Sequence, residues 1–147
     1  MAAGTRRIAR ETAVQFLYQE DFTAGNGGFG CDLAERFPLF CALFKINKKA
    51  RKYTEELLSG ICPRLAEIDQ QIEASAKNWR LARLAATDRN IMRVAVYEIV
   101  YREDIPGQVS INEAVEIAKK YASKDSPKFI NGVLDSILKS LSVKRAL

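Results

Sequence analysis

Histidine is missing from the 147-residue chain altogether. Its absence removes the commonest general base, the familiar Ser-His-Asp and Cys-His arrangements, and most catalytic zinc sites. Cysteine is scarce: Cys31, Cys41 and Cys62 make an odd count, and no C-x-x-C pair occurs. A disulfide framework or a zinc cluster is therefore not expected, and the thiols read as reduced, small apolar residues. No apolar run approaches the roughly 20 residues that a membrane span needs. Nor does an apolar stretch suited to a secretory signal follow Arg6, Arg7 and Arg10, so the chain reads as cytoplasmic. A G-K-[ST] phosphate loop is also lacking. Gly25, Gly27 and Gly30 do spell G-x-G-x-x-G, but the dinucleotide fingerprint needs a strand before it and a helix at its end. A helical pattern precedes it here, so a mobile loop is expected. The neighbouring acids Glu55 and Glu56, and Glu103 and Asp104, read as solvated charges, because adjacent residues on a helix point in different directions. No catalytic constellation emerges, and no cofactor or metal is expected.

What the sequence does contain is helical periodicity. With 48% hydrophobic and 28% charged residues, the composition is that of an ordinary globule. Ala9, Ala13, Phe16 and Leu17 share one face between Thr5, a candidate cap, and Glu20. Residues 23–30 are glycine-rich and expected as loop. Residues 31–45 are apolar and read as helix, with Pro38 disturbing the pattern. From Lys49 to Ala76 a stripe runs through Leu57, Ile61, Leu65, Ile68 and Ile72, and Pro63 should kink it, since proline lacks the N–H that would bond back to Ser59. A short helix or turn is expected from Trp79 to Leu84. Thr87 is a candidate cap for the next helix, with Asp88 in the dipole-favoured first turn. Met92, Ala95, Val96, Ile99 and Val100 point to deep burial.

Ile105, Pro106 and Gly107 break the chain, and Ser110 with Glu113 has the spacing of a capping box. Ser126–Pro127 marks a last start, followed by Phe129, Ile130, Val133, Leu134, Ile137, Leu138 and Leu141. The expected fold is all-α, with about seven helices in two small packed bundles. The chain reads as a single domain with subdomains of about residues 1–76 and 77–147.

The net charge is +5, a mild excess whose distribution matters more than its size. Arg6 and Arg10, four apart, share a helix face with Arg7 beside them. They stand where backbone amides and the positive helix end also attract a phosphate backbone. Tyr121 and Phe129 bracket a segment holding Lys124, Asp125 and Lys128. Aromatic faces beside cations suit single-stranded RNA, whose bases stack on rings, and Asp125 and Ser126 can bond base edges. The bland alternatives are a solvated basic end and, for the two rings, core packing. Lys45, Lys48, Lys49, Arg51 and Lys52 form a third basic cluster, read as an exposed helix entry rather than an extension of the RNA track.

Two segments then become familiar. Arg6, Ala9, Arg10, Glu11, Ala13, Gln15, Leu17 and Tyr18 resemble the R-x-x-A-R-E-x-A-x-Q-x-L-Y opening of the NusB family. Residues 88–98 (DRNIMRVAVYE), Ile105–Pro106, Ile111–Asn112–Glu113–Ala114 and residues 129–134 (FINGVL) resemble it in order and spacing. Residues 21–50 fall outside the resemblance. It implies seven helices in two subdomains and a non-enzymatic transcription antitermination function. The RNA would be a boxA-type single strand of ribosomal RNA leaders, bound together with the ribosomal protein NusE for an RNA polymerase antitermination complex.

Carried over by position, Arg6, Arg7, Arg10, Tyr121, Asp125 and Phe129 look like the RNA-contacting set, to which Lys124 is added from the basic loop. Gln15, Tyr18, Asp88, Arg89 and Arg93 look like the set facing or adjoining NusE. Homologues occur as monomers and as homodimers, and a homodimer would cover the partner surface until NusE competes for it. Two alternatives stay open. One is a NusB-like fragment of an rRNA cytosine methyltransferase, which would require a long catalytic domain beyond Leu147. The other is an interaction module without RNA binding, which Arg6 or Arg10 substitution would leave unaffected.

Overall fold

Helical periodicity turns into helices throughout the computed structural model, which describes residues 3–23, 33–77 and 80–146. Seven α-helices lie among them: α1 (Ala3–Thr23), α2 (Leu33–Phe44), α3 (Lys48–Ile61), α4 (Leu65–Ser75), α5 (Ala86–Tyr101), α6 (Gly107–Tyr121) and α7 (Ser126–Ala146). Single 3₁₀ turns stand at Cys62–Arg64 and Leu81–Arg83. The all-α expectation holds, with no strand among the described residues. The Gly25–Gly30 loop, Cys31 and Trp79 lie outside the described residues.

Pro63 breaks the long stripe: α3 stops at Ile61, and the 3₁₀ turn separates it from α4. The chain divides there into two compact units, Met1–Pro63 and Arg64–Leu147. This division lies ahead of the one expected near Lys77, because α4 packs on α5 and α7.

In the first unit α1 packs on α3. Ala9, Ala13, Phe16 and Leu17 are buried on one helix, and Tyr53, Leu57, Leu58 and Ile61 on the other. Phe16 meets Phe37 and Phe40 of α2 edge-on, with centroids 5.8 and 5.4 Å apart, the arrangement favoured by ring quadrupoles. The buried Glu20 accepts from Arg36 Nε at 2.6 Å. Asn47 starts α3 with a side-chain cap, its Oδ1 accepting from the backbone N–H of Lys49 at 2.8 Å and of Ala50 at 3.4 Å.

In the second unit α5 is buried nearly all round, from Asn90 to Ile99, because α4, α6 and α7 all pack on it. At the start of α6 a Cβ on Gly107 would lie 2.5 Å from Leu138 Cδ1, so the missing side chain lets α6 begin close against α7.

Three cap expectations are corrected. Thr5 lies within α1, which already runs from Ala3. Thr87 is inside α5, whose N-cap is Ala85 without a side-chain bond. Ser110 is buried within α6, which starts a turn earlier, after Pro106, and its hydroxyl has no partner. Pro106, fixed at φ −58° with ψ 133°, sets the start, so Ser110 arrives too late to cap. The cysteine expectation is corrected at Cys62, which is disulfide-bonded, since sequence spacing does not report proximity in space. Cys41 is a free, buried thiol, and burial pushes its pKa up.

Candidate nucleic-acid interface

In the first unit α3 supplies a platform for the arginines of α1. Tyr53 is buried. The Arg6 guanidinium carbon lies 5.1 Å from its ring centroid and that of Arg10 lies 5.9 Å away, both within cation–π range. The pair is i,i+4 on one face, as the sequence implied. Their exposures differ, and the difference decides what each can do. Arg10 is only 4% exposed, Arg6 is half-buried and Arg7 exposed. Arg6 Nε is buried without a hydrogen-bond partner. Thr54 Oγ1 donates to Ala50 O at 2.9 Å and sits 3.3 Å from Ala9 O, tying the two helices together beneath this cluster. Further along α1, Gln15 is exposed and Tyr18, 40% exposed, rests against Phe22 with centroids 4.9 Å apart.

In the second unit the turn between α6 and α7 carries the other candidates. Tyr121, at the end of α6, is half-exposed, with the Lys120 ammonium 5.1 Å from its ring centroid. Lys124, Asp125 and Lys128 are exposed, and Phe129 is half-buried. A cleft of about 340 Å³ opens between this turn and the start of α5, lined by Arg83, Leu84, Asp88, Ser123, Asp125 and Phe129 among others. A second, of about 540 Å³, is lined by Lys77, Asp125, Lys128 and Phe129 with parts of α4 and α7. Asp125 and Phe129 line both clefts, so one carboxylate and one ring border both spaces. Either volume accommodates a flat heterocycle, with a ring to stack on and a carboxylate to accept its N–H groups.

Hydroxyl groups hold this turn in place. Ser126 Oγ donates to Asp88 Oδ2 at 3.0 Å, and Ser123 Oγ lies 2.8 Å from Ser126 Oγ. With Ser126 donating to the carboxylate, Ser123 is the donor to Ser126. Asp88 Oδ1 has no hydrogen-bond partner. Burial raises the Asp88 pKa above the ordinary carboxylate value, and the Ser126 hydrogen bond only partly opposes it.

The remaining partner-set residues of this unit work internally. Arg93, 5% exposed, donates Nε and one terminal nitrogen to the two oxygens of Asp69 at 2.8 and 2.9 Å, and its other terminal nitrogen to Asn90 Oδ1 at 2.9 Å. Arg89 donates to Leu81 O at 3.2 Å and lies 3.4 Å from Leu84 O, securing the 3₁₀ turn before α5. Sequence reasoning missed Tyr53, Ser123, Arg83 and Asp69. Of these only Tyr53 left a trace, its place on the buried stripe of α3; the others become relevant through contacts across the fold.

Comparison with known proteins bears on the chain as a whole. A model of the NusB family matches residues 7–139. The transcription antitermination protein NusB of Desulfotalea psychrophila is 50% identical over 132 residues, covering 90% of this chain and 94% of that one. That of Desulfitobacterium hafniense is 44% identical over 140 residues, covering 95% and 92%. These relatives are named as transcription antitermination proteins, not as enzymes. Among solved structures, NusB of T. maritima matches with TM-score 0.78 and 36% identity, over 91% of this chain and 90% of that one. A chain in a structure of the antitermination factors NusB and NusE in complex with double-stranded RNA matches with TM-score 0.79 and 30% identity, over 95% and 99%.

Proposed function

The chain belongs to the NusB family of transcription antitermination proteins, and from that premise we propose that it binds boxA-type single-stranded RNA of ribosomal RNA leaders together with NusE. In this reading it acts in the cytoplasm as part of an RNA polymerase antitermination complex. The observation that carries the reading is the ridge of Asp125 and Phe129 bordering two clefts, with Lys124 and Lys128 exposed beside it. Stacking surface, hydrogen-bond acceptor and cations are the three elements that unpaired bases and their phosphates require.

Each unit has its own part. On α1, Arg7 and the outer part of Arg6 hold phosphates. Arg10, buried over Tyr53, adds positive potential and fixes the ring that carries Arg6. At the α6–α7 turn, Tyr121 and Phe129 offer stacking faces. Asp125 accepts from base N–H groups and so discriminates among bases, while the Ser123–Ser126–Asp88 chain keeps it in place. The NusE contact includes Gln15 and Tyr18 directly. Asp88, Arg89 and Arg93 act by bracing the surface around them, since Asp88 Oδ2 and the two guanidinium groups bond inside the unit. A homodimer of the free protein would cover the same partner surface.

Titration of labelled boxA-like RNA and a scrambled control, with and without NusE, at two salt concentrations tests the reading. Tight, sequence-selective binding that needs NusE and weakens with salt is expected, because phosphate contacts release counterions. Weak, equal binding of both RNAs under every condition would refute it.

A further inference from the structure

The outer face of α2 has no role in the function above, and it is unusually apolar. Leu39, Leu43 and Phe44 are 59%, 66% and 56% exposed. Leu39 and Leu43 are i,i+4 neighbours, so they form one stripe on the helix surface. Single exposed apolar side chains are ordinary, but three within six positions make a contiguous patch of the kind that marks interaction sites.

Charge surrounds the patch on one side only. From Arg36 to Thr54 the chain holds no acidic residue. Lys45 ends α2 with a positive φ of 48°, an uncommon backbone state for a side-chain-bearing residue. This reversal leads directly into α3, whose first two turns carry Lys48, Lys49, Arg51 and Lys52. Lys45 directly follows Phe44 in the chain, and the Arg51 guanidinium carbon is 5.9 Å from the ring centroid of Phe37 on the buried face of α2. Cations in the first turn oppose the helix dipole, so this arrangement weakens α3 while concentrating positive potential beside exposed leucines.

We infer that this surface docks a partner protein through an acidic amphipathic helix, with Leu39, Leu43 and Phe44 meeting its apolar stripe and Lys45, Lys48 and Lys49 pairing with its flanking carboxylates. Charge complementarity selects that occupant. RNA could use the lysines and the Phe44 ring but gains neither stacking nor hydrogen bonds from Leu39 and Leu43, which make up the i,i+4 stripe. A second copy of the chain would bring like charge to like charge unless it presented a different face.

The test uses the full-length protein, labelled with ¹⁵N, and a synthetic helical peptide of about 18 residues, or five turns. Its leucines repeat at i, i+4 and i+7 with glutamates beside them, and a control peptide carries lysine in place of every glutamate. Binding of the acidic peptide is expected to shift the amide signals of residues 39–52. The exposed double variants L39S/L43S and K48E/K49E should each weaken it about tenfold, as for interface anchors. K48E/K49E should also transfer preference to the lysine peptide. Several results would overturn the proposal: no binding of the acidic peptide, or no transfer of preference. So would a protein dimer dispersed by L43S, vesicles of anionic phospholipid bound through the patch, or boxA-like RNA affinity lost in K48E/K49E but kept in L39S/L43S.

Discussion

Two charged clusters, one in each unit, are held in different ways. In the first, Arg6 and Arg10 lie over the face of Tyr53, a contact that places both cations against a ring. In the second, charges are tied to partners by directional bonds: Arg93 to Asp69 through two parallel bonds, Asp88 to Ser126, and Ser126 to Ser123. A ring face attracts a cation without dictating where its N–H groups point, whereas a bidentate carboxylate dictates both. Held in the first way, Arg6 stays half-buried while Arg10 is only 4% exposed. Groups held in the second way fix the shape of the surface around the α6–α7 turn. On the proposed function, the first unit would supply sequence-independent attraction and the second would supply selection.

Removing a partner from the directional network should have the largest effect. Asp69→Ala leaves the nearly buried Arg93 guanidinium uncompensated and is expected to cost about 3–5 kcal/mol of stability, measured by urea unfolding. An equal loss in Arg10→Ala, which removes the cation over the Tyr53 ring, would erase the contrast. Next in size is Asp125→Ala, which should change the preference between boxA-like and scrambled RNA by about 1–3 kcal/mol; uniform weakening on all RNAs would place selection elsewhere.

Ser126→Ala takes the donor from Asp88 and should cost about 1 kcal/mol or somewhat more in the same unfolding assay. Asp88 adds a pH signature of known sign. Its folded-state pKa is raised, so the folded state holds the proton more tightly than the unfolded chain. The stabilisation that results is fully present below the ordinary value of 3.8 and is lost as pH rises through the raised pKa. Relative to Asp88→Asn, the wild-type protein should therefore gain stability as pH falls through that window, and an unchanged difference across it would contradict the assignment. The smallest effect is expected in the first unit. Arg7→Ala should weaken every RNA alike and reduce the slope of log affinity against log salt by about one, with no change in sequence preference.

Much of the fold was legible because helix periodicity is local. The stripes Ala9–Ala13–Phe16–Leu17 and Ile130–Val133–Leu134–Ile137 are buried as their spacing implied, and Pro63 interrupts the helix as its missing N–H requires. Caps were less legible. Thr5, Thr87 and Ser110 are all plausible by type, but the helices begin before them, and Ala85 stands at the N-cap of α5 without a side-chain bond. The site was legible in part. The pattern of Tyr121, Lys124, Asp125 and Phe129 marked the α6–α7 turn, and the Arg6–Arg10 spacing marked one face of α1. The clefts and the hydroxyl chain to Asp88 left no mark in the neighbouring sequence, and the ring under the arginines showed only as one position of the buried stripe of α3.

By itself, then, the sequence determined the helices, their apolar faces and the positions of charge along them, since each depends on residues within a turn or two. Only the tertiary structure decided which charges are buried, engaged or exposed. Arg93 finds Asp69 24 residues away, Ser126 finds Asp88 38 residues away, and Arg10 meets Tyr53 on another helix. Burial raises the energetic weight of each such contact because little water remains to screen it, and nothing local in the sequence states which contacts folding will place there.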